Sequence, residues 1–134
     1  MLNPSTADER KDDATIRRCV NFSRQWGFGG MEVYNLFAFR STDPRALREC
    51  KDAVGPENDA HLRTIPPKTT VIAAWGRFPI ALGNRDRDVL LLLDRNVQCL
   101  GMTKEGYPKH PVRLPYFAER EAYWRPRTSG GEEV

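Results

Sequence analysis

The chain lacks any long apolar run. Its longest aliphatic stretch, residues 89–93, is far too short to span a bilayer, and no secretory signal opens the sequence. Cysteine is scarce: Cys19, Cys50 and Cys99 are far apart and form no C-x-x-C pair. Neither a disulfide framework nor a thiolate metal knuckle is therefore expected, and the three read as small hydrophobes in a reducing compartment, with a single catalytic thiol as the alternative. The two histidines, His61 and His110, have no acidic pair at helical spacing beside them, so no metal constellation is written here. No glycine loop opens a helix, since "GFGG" precedes a candidate strand, and no G-x-S-x-G elbow is present. Charge of one sign is also lacking: 21 Lys and Arg face 18 Asp and Glu, which by itself implies no polyanionic partner. These absences lead to the expectation of a soluble, cytoplasmic protein with no cofactor, no metal and no membrane contact.

What is present is enough for a core. The 134 residues are 40% hydrophobic and include three Trp, which suits one packed domain over residues 1–124 with a mobile tail over 125–134. Residues 12–27 show helical periodicity, with Asp12 or Asp13 as cap, Ile16, Cys19, Val20 and Trp26 on one face, and Gly27 as stop. Asp43 and Pro44 open a second helix, Pro56 a third, and "GNRDRDVLLLLDRN" a fourth. Between them lie apolar runs expected as strands over residues 32–39, 70–75 and 97–102. Strands buried on both faces and alternating with helices predict an α/β fold, layered as an α/β/α sandwich with a short, mainly parallel sheet. A ligand site in such a fold lies beyond the carboxyl ends of the strands.

Polar residues gather at those ends. Asn3 opens the first turn, Asn35 interrupts the apolar "VYNLFAF", Trp75-Gly76 ends a strand, and His110-Pro111 follows the last one. Each has an ordinary structural explanation taken singly: a turn former, a satisfied core amide, a surface-loop histidine. Together they fall on one rim. Lys104, Lys109, His110 and Arg113 add positive charge to the final loop, which suits a phosphate backbone or is simply solvated. The cluster Glu57, Asn58, Asp59 and His61 reads as a helix first turn, with a further role for Asn58 or Asp59 left open.

The stretches "MLNPSTAD", "TIRRC", "NLFAFRSTDP", "GPENDAHL", "AAWG" and "CLGMTKEGYPKHP" resemble, across residues 1 to 116, a bacterial and phage family known as domain of unknown function 1643. More distantly, the ordered landmarks resemble the uracil-DNA glycosylase superfamily, an α/β/α sandwich with a four-stranded parallel sheet. That resemblance implies catalytic roles for Asn3, as a water-positioning residue in "LNPS", and for His110, as the donor that stabilises the departing base. It places Pro4, Ser5, Asn35, Trp75, Thr103, Lys104, Lys109 and Pro111 at the base or the nucleic acid. Val112 stands where the superfamily carries a Ser after His-Pro. Phe22 or Phe28 is the candidate ring to stack on an extruded base. Asn3 can orient water but cannot accept its proton, so any hydrolysis is expected to be slow. The expected activity is recognition of an extruded or modified nucleobase, with N-glycosidic hydrolysis or binding alone as the two outcomes. A free-nucleotide or nucleoside hydrolase is a third.

In both families the Asn-Pro turn follows a strand inside the sheet, whereas here only Met1 and Leu2 precede it. The expectation is therefore a first strand largely missing from this chain. Exposed sheet edges would then favour a partner strand or oligomer.

Overall fold

A computed structural model of the chain describes Met1 and residues 9–37, 54–55, 57–78 and 83–126, with side chains for all of these except residues 9–13 and 113. The expected helix opened by Asp43, the thiol of Cys50 and the turn containing Asn3, Pro4 and Ser5 lie outside the described residues.

Helix α1 spans Glu9–Gln25. It begins before the anticipated Asp12 cap and stops at Gly27, which adopts φ 85°. Two backbone bonds close its end: Gly27 N donates to Arg24 O and Phe28 N to Ser23 O, each at 3.0 Å. This double closure needs a left-handed residue, which glycine provides without a Cβ clash. The inward face turns on Phe22, 1% exposed, while Ile16 is 44% exposed. "GFGG" is a turn, as anticipated.

Helix α2 spans Asn58–Arg63 and helix α3 spans Arg85–Leu93. They contribute Leu62, Val89 and Leu90 to a core shared with Leu36, Phe37, Ala73, Phe78 and Val97. Strand β1 is Ile72–Ala73, β2 is Val97–Cys99 and β3 is Glu121–Trp124, in the order β1-β2-β3. β1 and β2 are parallel, with Ile72 opposite Gln98 and Ala73 opposite Cys99. β3 runs antiparallel to β2, with an irregularity between Val97 and Gln98. Val97 and Cys99 are fully buried, as period-two alternation requires of an inward face.

The result is a mixed α/β architecture with a small open sheet, and three expectations need correction. Among the described residues the sheet is not mainly parallel: one pairing is parallel and one antiparallel. The expected strands over 70–75 and 97–102 shorten to Ile72–Ala73 and Val97–Cys99, because Gly76 and Gly101, at φ 76° and 104°, turn the chain away. Residues 32–37, the described part of the expected strand over 32–39, form no ladder with another strand. Their backbone instead meets Met1: Met1 N donates to Tyr34 O at 3.0 Å, and Leu36 N donates to Met1 O at 2.9 Å. That pair of bonds is the rung of a parallel ladder between Met1 and Asn35.

A polar brace holds this segment. Arg85, 7% exposed, donates from Nε to Leu36 O at 2.7 Å, and its Nη2 lies 2.7 Å from Asp59 Oδ1. Asn58 Nδ2 donates to Asn35 O and Leu36 O, both at 3.0 Å. Asn58 and Asp59 therefore have a structural task. Among the described residues no helix is long and apolar enough to cross a membrane.

Candidate functional site

A cleft of about 750 Å³ opens beside the sheet. Cys19, Phe22 and Trp26 of α1 line it together with Leu62, Ile65, Leu90 and Leu93. Residues 30–36 and 68–75, Met1 and Pro111 also line it.

Several positions singled out in the sequence lie at or beside this cleft. Asn35 and Trp75 line the cleft with Pro111. Trp75 leads into Gly76, whose N–H donates to Pro108 O at 2.9 Å. Gly76 has φ 76°, and a Cβ there would lie 3.4 Å from His110 Cβ. Glycine suits the positive backbone angle, while a Cβ would only reach ordinary contact with the histidine loop.

His110 is half-buried and precedes a 3-10 turn, Pro111–Arg113. Its Nδ1 accepts from Val112 N at 3.2 Å, which assigns the proton of the neutral ring to Nε2. Burial lowers the imidazole pKa below 6.5, and the Met1 ammonium lowers it further. The outcome is a neutral ring at pH 7 with an N–H donor that has no partner among the described residues. Arg18 pins this loop to α1, donating from Nε to Pro111 O at 3.0 Å and stacking 4.3 Å from the Tyr116 ring centroid. Arg18 was not foreseen, because an arginine off the apolar face gives no sign in sequence of what it will meet.

The other candidates distribute differently. Asn35 is half-buried and lines the cleft, and its side-chain amide has no partner among the described residues. Trp75 Nε1 is buried and likewise without an acceptor. Thr103, Lys104 and Lys109 belong to a tight hairpin rather than to the cleft wall. Thr103 N donates to Tyr107 O at 2.8 Å, Thr103 Oγ1 accepts from Tyr107 N, and Lys109 N donates to Gly101 O at 2.9 Å. Lys104 and Lys109 are exposed there. Of the two candidate stacking rings, Phe22 is core, packed against Trp26 and Tyr116, and Phe28 is 39% exposed with the Arg120 guanidinium 5.3 Å from its centroid.

Other chemistries find little here. Burial raises the pKa of Cys19 and Cys99, which keeps both as thiols and leaves neither suited to nucleophilic work. Among the described residues no group of three or more His, Cys, Asp or Glu side chains could hold a metal ion. Glu32 is the one carboxylate that lines the cleft among them, and it accepts from the Tyr34 hydroxyl at 2.8 Å.

Residues 1–112 match the family described as "Protein of unknown function (DUF1643)". The chain belongs to the DUF1643 family. No curated protein and no solved structure matches it. The matched span takes in Met1, Asn35, Trp75 and Pro111 of the cleft lining, and His110 next to Pro111, so all of them fall within the DUF1643 region.

Proposed function

We propose that this DUF1643 protein recognises an extruded or modified nucleobase, on a three-layer α/β/α domain similar to uracil-DNA glycosylases. What supports this most is His110: a neutral imidazole whose Nε2–H donor has no partner among the described residues, packed against Gly76 and next in the chain to Pro111 of the cleft wall. Base excision leaves negative charge on the departing base, and a fixed donor in a dry pocket is what stabilises such charge. The Asn35 amide, without a partner among the described residues, can read a Watson–Crick edge, and an apolar wall can receive the base face. Asn3, with Pro4 and Ser5, would orient the attacking water at the turn following Met1. Lys104 and Lys109, exposed on the neighbouring hairpin, would meet phosphates.

The alternative is a binding module of the same fold that does not turn over. It is favoured by the carboxylates: Glu32, the one described acid on the cleft wall, is engaged by Tyr34, and an Asn cannot serve as general base.

An abasic-site assay separates the two. Oligonucleotides carrying uracil, hypoxanthine or a mismatch are incubated with cooperatively melting protein. Strand breaks at one modified base, reduced about 10²–10³-fold in His110→Ala, establish hydrolysis. Binding that falls steeply with salt but yields no breaks establishes the module. Neither binding nor breaks contradicts the reading.

A further inference from the structure

We propose that a row of aromatic rings and arginines, running along the second half of α1 and residues 116–120, is a stacking surface for single-stranded nucleic acid. This deepens the nucleobase reading and rests on it only for the class of partner. It adds that the strand carrying the base is unpaired.

The row is continuous. The Arg18 guanidinium lies 4.3 Å from the Tyr116 ring centroid, and Tyr116 meets Phe22 at 5.1 Å. Phe22 stacks on Trp26 at 5.5 Å. The Arg120 guanidinium then lies 4.9 Å from the Trp26 centroid and 5.3 Å from that of Phe28. Hydrogen bonds hold the row in place. Asn21 Nδ2 donates to the Tyr116 hydroxyl at 3.1 Å, Gln25 Nε2 to Tyr116 O at 2.6 Å, and Arg120 Nη1 to Gln98 Oε1 at 3.3 Å. Groups fixed before a ligand arrives lose little freedom when it binds.

Core packing accounts for Phe22, which is 1% exposed, but not for the rest. Tyr116 is 38% exposed, Phe28 39%, and Phe117, next to the braced Tyr116, 82%. A ring left open to water on an anchored segment offers its face to a base.

Charge names the partner. The whole chain is nearly balanced, yet the two segments that meet here are not. Residues 14–31 carry Arg17, Arg18 and Arg24 with no acid, and residues 106–118 carry Lys109 and Arg113 with no acid. Arg18 Nε joins the two by its bond to Pro111 O at 3.0 Å. Positive charge beside open rings suits phosphates that carry unstacked bases, whereas a duplex hides its base faces within its own stack. A protein partner is met by a contiguous apolar patch, and here Arg, Asn and Gln interrupt the rings. Tyr116, Phe117 and Arg120 lie beyond residues 1–112, so the DUF1643 match does not account for them.

The test is fluorescence anisotropy with a labelled oligothymidylate of about 12 nucleotides, free or annealed to its complement. The single strand should bind about tenfold or more tighter than the duplex, with log K falling as log salt rises. Phe117→Ala should weaken that binding by about 5- to 150-fold at unchanged salt slope and unchanged Tm, because the ring is exposed and uncharged. Arg24→Gln should instead lower the slope by about 0.7, the share of one phosphate contact. Three results overturn the stacking surface: equal affinity for the duplex, binding unchanged in Phe117→Ala, or no oligonucleotide binding alongside self-association that Phe117→Ala abolishes. The probe carries no modified base, so the two readings fail separately. Strand binding without recognition of any modified base sinks the nucleobase reading alone, and base excision with binding unchanged in Phe117→Ala sinks the stacking surface alone.

Discussion

Val112 N donates to Nδ1 of His110, and burial together with the Met1 ammonium disfavours the imidazolium. Two outcomes follow for this residue. A ¹⁵N-detected titration should give a His110 midpoint below 6.5 and an Nε2–H tautomer at neutral pH; a midpoint above 6.5 would contradict the geometry. Arg18→Ala should release the loop that carries the ring, because Arg18 Nε is bonded to Pro111 O. The expected effect is a loss of stability of about 1–2 kcal/mol, read by urea denaturation, with a larger proportional loss of base binding. His110 was legible as a candidate from "KHP" at a strand end. Its protonation state was not, because that depends on burial and on a neighbour over a hundred residues away in the chain.

Among the elements, the irregular segment 31–37 depends on side chains from two helices. Arg85→Ala removes the Nε bond to Leu36 O and leaves Asp59 without its cation. A cost of about 2–3 kcal/mol is expected, Asp59 being partly solvated. Asn58→Ala should cost about 1–2 kcal/mol through its two carbonyl contacts. Both are measurable as shifts in denaturation midpoint at constant slope, and a neutral result for Arg85→Ala would contradict the brace. The helices were readable, since α1 and α3 carry apolar periodicity and stop at a glycine or a left-handed Asp94. The strands were readable only as apolar runs. Whether "MEVYNLFAF" pairs depends on what lies beside it, and only Met1 does among the described residues. β3 went unforeseen because "EAYW" is a short edge strand, exposed at Glu121 and Ala122.

For the molecule as a whole, two bases sit with lowered pKa values. The Met1 amine falls from 8.0 to about 6, and His110 falls below 6.5. A base whose folded pKa lies below its unfolded value binds more protons when unfolded, so stability rises with pH. The contribution is complete above pH 8 and declines as the pH falls toward 6. The Met1 shift alone sets a scale of about 3 kcal/mol for that loss. Thermal melts between pH 8.5 and 6 should show a falling Tm, and a flat profile would contradict the enclosed amine. Across the chain, the sequence reading expected Asn35, Trp75 and His110-Pro111 on one rim; Asn35, Trp75 and Pro111 line the same cleft, and His110 packs against Gly76. The cleft itself could not be read from residues that are core in any α/β protein.

The most direct measurement is the ¹⁵N spectrum of the His110 imidazole during titration with uracil-bearing oligonucleotide, unmodified oligonucleotide and free nucleosides. Recognition of an extruded base predicts a selective shift of Nε2 with the modified oligonucleotide, abolished in Asn35→Ala at unchanged Tm. An Nε2 resonance that no nucleobase ligand moves, in a protein that melts cooperatively, would contradict the account.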